Sequence, residues 1–244
     1  MRERLLLIFI VGVLVVFSVQ SAHATVIFLA LGTSAEDVAV AFEARLTISG
    51  DDLTVILTNK SPVDSQSPAD VLGSFYFDIL KSSGVRPTLT YFSATGNTYK
   101  GVKNGADALV KAGEDLRAFV KNDDSWQFKS FNAASNPFLG FGIGTVGNSA
   151  MSPNSFNGNI VGNANFMIYK GEITTQPLVN PSCLVKDTAT FVFTGLTGFT
   201  EGDIVNRFAF GLGTAPDSLL VPEPATICLL GLGGLAMVRR RKSA

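Results

Sequence analysis

The chain has 244 residues, 46% of them hydrophobic and 16% charged, with 20 acids against 19 bases. That length accommodates one large all-β domain, and the apolar content excludes wholesale disorder even though the charged fraction is below the globular norm of about 25%. A net charge of −1 excludes a basic nucleic-acid binder, because nothing would neutralise the phosphates.

Residues 1–24 read as a secretory signal peptide, expected as an N-terminal helix flanking the domain. Arg2 and Arg4 supply a positive start, and an apolar run from Leu5 to Val19 is broken only by Gly12 and Ser18. Ala22-His23-Ala24 is the small-x-small pattern that signal peptidase recognises, which predicts cleavage before Thr25.

Strand patterns then dominate. Residues 25–31 are a short apolar run, and 38–48 end in period-two alternation before a turn at Gly50-Asp51-Asp52. Residues 53–58 resume the alternation, which reads as a hairpin with a loop of about four residues. Further strand-like runs cover residues 72–80, 88–92, 126–131, 138–146, 165–169, 188–194 and 205–212. Residues 105–120 stay ambiguous. Ala108, Leu109, Ala112, Leu116, Phe119 and Val120 fall near a helical period, but Gly113 in the middle suits a strand pair equally. Leu139-Gly140-Phe141-Gly142-Ile143-Gly144-Thr145 is echoed by Phe208-Ala209-Phe210-Gly211-Leu212-Gly213-Thr214, as two inner strands with glycines at close approaches would be. Residues 148–163 are rich in Asn, Ser and Gly and read as a surface loop. Many short strands punctuated by turn residues predict an all-β fold, a single β-sandwich or jelly-roll-like domain over residues 25–220.

The chain closes with Val221-Pro222-Glu223-Pro224, an apolar segment over residues 225–238, and Arg239-Arg240-Arg241-Lys242. The prolines set an extended entry. The apolar segment falls short of the roughly 20 residues that span a bilayer comfortably, and the basic cluster holds the C-terminus on the cytoplasmic side. This tail resembles the PEP-CTERM sorting signal of Gram-negative bacteria, in which a Pro-Glu-Pro box, a transmembrane helix and a terminal Arg cluster follow one another. The resemblance implies recognition of Pro222, Glu223 and Pro224 by an exosortase, with Arg239, Arg240 and Arg241 as the terminal cluster. It also implies transient passage through the inner membrane by residues 225–238, then delivery to the cell surface or an exopolysaccharide matrix.

Trimming both ends changes the chemistry available. Six bases (Arg2, Arg4, Arg239, Arg240, Arg241, Lys242) leave with them, but only two acids, Glu3 and Glu223, so the middle carries about −5. The sole histidine, His23, and one of two cysteines, Cys228, also leave. Histidine-based catalysis, imidazole zinc sites and an intramolecular disulfide are thereby excluded. Cys183 reads as a small buried hydrophobe, and no cofactor is expected.

The remaining motifs are weak. Gly142-Ile143-Gly144-Thr145-Val146-Gly147 matches the dinucleotide fingerprint, but Pro153 and nearby glycines forbid the helix it needs, and the next acid is the distant Glu172. Asp51-Asp52, Asp123-Asp124 and Glu201-Gly202-Asp203 suit solvated turns at least as well as a calcium site. All but two of the 19 phenylalanines lie in the middle, which favours a packed core over a sugar-binding surface; Trp126 beside Asp123 and Asp124 is the one candidate ligand contact. The expected function is a non-enzymatic, structural or adhesive component of the cell surface or matrix. A carbohydrate- or calcium-binding module and a polysaccharide-degrading enzyme with two carboxylates are the alternatives.

Overall fold

The computed structural model describes residues 24–102, 105–117, 126–131, 140–145, 166–173, 183–213 and 219–220. Strand accounts for 59% and helix for 4% of the described residues, as the all-β expectation requires. β1 (Thr25–Thr33), β2 (Ala39–Ser49) and β3 (Asp52–Asn59) form an antiparallel meander. Ala44, Leu46, Ile48, Leu53, Val55 and Leu57 are buried on one face, with Glu43, Arg45, Thr47, Thr54, Ile56 and Thr58 on the other. Pairs such as Leu46 with Val55 set the register, since a one-residue slip would turn every apolar side chain outward. The connecting loop is shorter than the four residues expected. Ser49 pairs with Asp52, and Gly50 at φ 64 opens a two-residue turn that needs a left-handed first position.

β10 (Leu184–Thr194) is the spine of this layer. One edge pairs with β3, the other with β5 (Thr90–Lys100), and β6 (Ala108–Asp115) lies beyond β5. The layer therefore runs β1-β2-β3-β10-β5-β6. β6 resolves the ambiguous segment as strand, and its register against β5 shifts where Gly113 (φ 59) bulges out.

The second layer centres on β4 (Leu72–Ile79). On one side lie β11 (Ile204–Leu212) and β12 (Leu219–Leu220); on the other lie β8 (Phe141–Gly144) and β7 (Gln127–Ser130). The two echoed segments prove to be the two strands that flank β4. Phe75 sits between Ile143 and Phe210, and Phe77 between Phe141 and Phe208. β9 (Ile168–Tyr169) bridges the layers, parallel to β10 and antiparallel to β4. Asp187, at φ 58, marks the break where β10 leaves β9 and joins β3.

Aromatic rings close the gap between the layers. Phe28 of β1 stacks on Phe208 at 4.4 Å, Phe42 of β2 meets Phe210 at 6.0 Å, and Phe128 of β7 meets Phe193 of β10 at 4.9 Å. Two strand layers filled by inward side chains fit the sandwich expectation. The helices expected over 1–24 and 221–244, and the loop over 148–163, lie outside the described residues. Among the described residues no helix is long and apolar enough to cross a membrane. Phe75 is fully buried and Phe92 is 63% exposed. Phe75→Ala is therefore expected to cost about 3–5 kcal/mol, against about 0.5 kcal/mol or less for Phe92→Ala, as read by denaturant unfolding.

Candidate functional site

The processing residues fall at the margins of the fold. Ala24 and Thr25 are exposed where β1 begins, while Ala22 lies outside the described residues. Pro222, Glu223, Pro224, Arg239, Arg240 and Arg241 also lie outside them, and the last described strand, β12, ends at Leu220. β1 and β12 approach each other. In sequence, the expected leader cut directly precedes β1 and the Pro222-Glu223-Pro224 box follows β12.

The expected ligand contact at Trp126 is corrected by its position. The ring is 1% exposed, lies 4.9 Å from Phe191, and donates its indole N–H to the Phe166 carbonyl at 2.8 Å. Its polar handle is spent inside the core, so no face is left for a sugar. Asp123 and Asp124 lie outside the described residues.

The acidic turns are occupied by protein donors. Asp51 accepts the Thr197 hydroxyl at 2.6 Å and the backbone N–H groups of Thr197 and Gly195 at 2.8 and 3.2 Å. These bonds hold its carboxyl below the usual range, the Thr197 hydroxyl contributing most. Asp203 accepts the backbone N–H and hydroxyl of Thr200. Both carboxylates staple loops, and among the described residues no group of three or more His, Cys, Asp or Glu side chains could hold a metal.

A cluster that the sequence pattern does not disclose sits where β5, β9 and β10 meet. Lys186 of β10 donates to Glu172 at 2.7 Å and to Asp107 at 3.4 Å, and its ammonium lies 5.1 Å from the Tyr99 ring centroid. Asp107 is buried and also accepts the Tyr169 hydroxyl at 2.6 Å and the Ile173 N–H at 2.8 Å. Burial, then the bond to Asp107, pushes the Tyr169 hydroxyl above its ordinary value. Glu172 is held low by the Asp107 backbone N–H and then by Lys186. Burial opposes the charge on Lys186, but the Glu172 bond and the two carboxylates outweigh it and raise the ammonium. These bonds tie β9 and β10 to the segment at Asp107, a polar lock on the corner between layers.

A second lock lies on the opposite face of β4 from the core. Arg86 grips buried Asp78 with two bonds of 2.8 and 2.9 Å, and Arg207 adds one at 3.4 Å. A Cβ at position 140 would overlap both the Asp78 carboxylate and the Arg86 side chain, which is why glycine stands there. Cys183 is buried, as expected.

The geometry defines a class first: an all-β domain with its expected processing points beside two neighbouring strands. The tail then assigns the sorting route, because residues 220–242 match the family model of the PEP-CTERM protein-sorting motif. That motif marks an exported protein sorted by an exosortase. No curated protein and no solved structure matches the chain.

The pH dependence of the corner lock follows from these directions. Glu172 is depressed in the folded state, so its contribution is present above the unfolded carboxylate value near about 4.3 and is lost as pH falls through the lower folded value. Glu172 is half-exposed, so the effect is about 1 kcal/mol or less. Acid titration of melting temperature is expected to show Glu172→Gln losing less stability than the native chain between pH 5 and 2.

Proposed function

We propose that the protein is a structural or adhesive, non-catalytic component of the cell surface or exopolysaccharide matrix. In this reading it is delivered as a β-sandwich domain after signal peptidase removes residues 1–24 and an exosortase acts at the Pro222-Glu223-Pro224 box. The observation that carries it is the complete composite tail, with box, apolar segment and Arg cluster in order, which matches the sorting motif over residues 220–242. The described polar side chains support the same reading. Asp51, Asp78, Asp107, Lys186 and Tyr169 are all engaged in bonds that hold strands and loops together.

A carbohydrate-binding role loses its leading candidate with Trp126 in the core. A calcium role loses Asp51 and Asp203 to backbone and hydroxyl donors.

The test is deletion of residues 222–244 in the native host, followed by fractionation. The expected outcome is loss of the protein from the cell-surface and matrix fractions, with accumulation between the membranes. Unchanged surface localisation would refute the sorting reading. Release of reducing ends from the host's own polysaccharide by the purified protein would refute the non-catalytic one.

A further inference from the structure

The described strands present four sheet edges, and three of them carry features that discourage pairing. β6 has Lys111, Glu114 and Asp115 and bulges at Gly113. β7 is four residues long and includes Lys129. β12 is two residues long. β1 has none of these features. It runs for nine residues without a charge, and its register against β2 is continuous from Thr25 to Thr33. Its outward side chains Ile27, Leu29 and Leu31 are 53%, 49% and 70% exposed. A long, regular, apolar edge strand is a template for another strand.

We propose that β1 pairs antiparallel with β1 of a second copy, about a two-fold axis through Leu29. The strand reads Thr-Val-Ile-Phe-Leu-Ala-Leu-Gly-Thr, and this order is nearly its own reverse complement in size. Centring it on Leu29 sets Thr25 opposite Thr33 of the second copy, Ile27 opposite Leu31, and Leu29 opposite Leu29 on the outer face. On the inner face, large meets small: Phe28 opposes Ala30, and Val26 opposes Gly32. An isologous interface requires this self-complementarity, and cross-strand apolar pairs are the units that stabilise a sheet.

Charge also favours a second copy as the occupant. No ionised side chain lies on β1. The nearest charges on the outer face, Glu43 and Arg45 of β2, satisfy one another at 2.7 Å. Two copies therefore meet without like-charge contact, and their six-strand layers join into one continuous sheet. β1 also begins at the expected signal-peptidase cut. The proposal deepens the structural reading above by naming a partner, and its readout is independent of where the protein is sorted.

The experiment uses the processed protein recovered from its host, in which the buried Cys183 is the one remaining cysteine. Light scattering is expected to give a dimer, and Leu29→Lys is expected to weaken it at least about tenfold, equivalent to about 1.4 kcal/mol, with the melting temperature kept. Facing Cβ atoms about 4.5–5.5 Å apart approach disulfide reach. Leu29→Cys is therefore expected to give an oxidised dimer, while Ile27→Cys and Leu31→Cys give one only when mixed with each other. A monomer at every concentration, a Leu29→Lys dimer of native affinity, or equal self-linking at positions 27, 29 and 31 would each overturn the proposal. If sorting alone is misread, the dimer survives while localisation fails.

Discussion

Phe28 stacks on Phe208 across the two layers, and Phe208 stands edge-on to Phe210, which lies 4.9 Å from Phe75. This ring chain links the outermost described strand of one layer to the centre of the other. Phenylalanine suits the task because its ring fills volume and asks for no hydrogen-bond partner. Cys183 is the one cysteine among the described residues, so within them the rings carry stabilisation that exported domains otherwise take from cross-links. β4 is buried on both faces, and its one charged residue, Asp78, is held by Arg86 and Arg207.

The charges that remain in the fold are used sparingly and in places the rings cannot reach. Asp78 with Arg86 and Arg207 sits on the far side of β4, and Asp107 with Lys186, Tyr169 and Glu172 sits at the corner made by β9. A buried carboxylate is tolerated only when its acceptor sites are met, and Asp107 meets this with a backbone N–H, a phenol and an ammonium. These clusters resemble active sites in composition. In each, the polar groups face partners from the protein itself.

Much of the fold was legible because period-two patterns are local. The β2–β3 meander, β4 and β11 follow directly from alternating or continuous apolar runs in the sequence. The echo at residues 139–145 and 208–214 even reported a tertiary fact, the shared neighbour β4, because both strands must offer phenylalanine inward and a small residue outward. What stayed hidden was non-local. Asp107 and Lys186 are separated by 79 positions, and Asp78 and Arg207 by 129, so no spacing rule links them. Trp126 misled because aromatic residues favour both cores and sugar-binding faces, and only burial distinguishes the two. The segment over residues 105–120 stayed open because its apolar residues fit two periods, and pairing with β5 decided for strand over Ala108–Asp115.

In the proposed reading the ends carry the address and the two-layered β domain between them is what is delivered. Intact-mass measurement of the protein recovered from the surface of its native host tests that division most directly. The account predicts a single species starting at Thr25 and lacking the apolar segment and Arg cluster beyond the Pro222-Glu223-Pro224 box. A surface species with the mass of all 244 residues would contradict it.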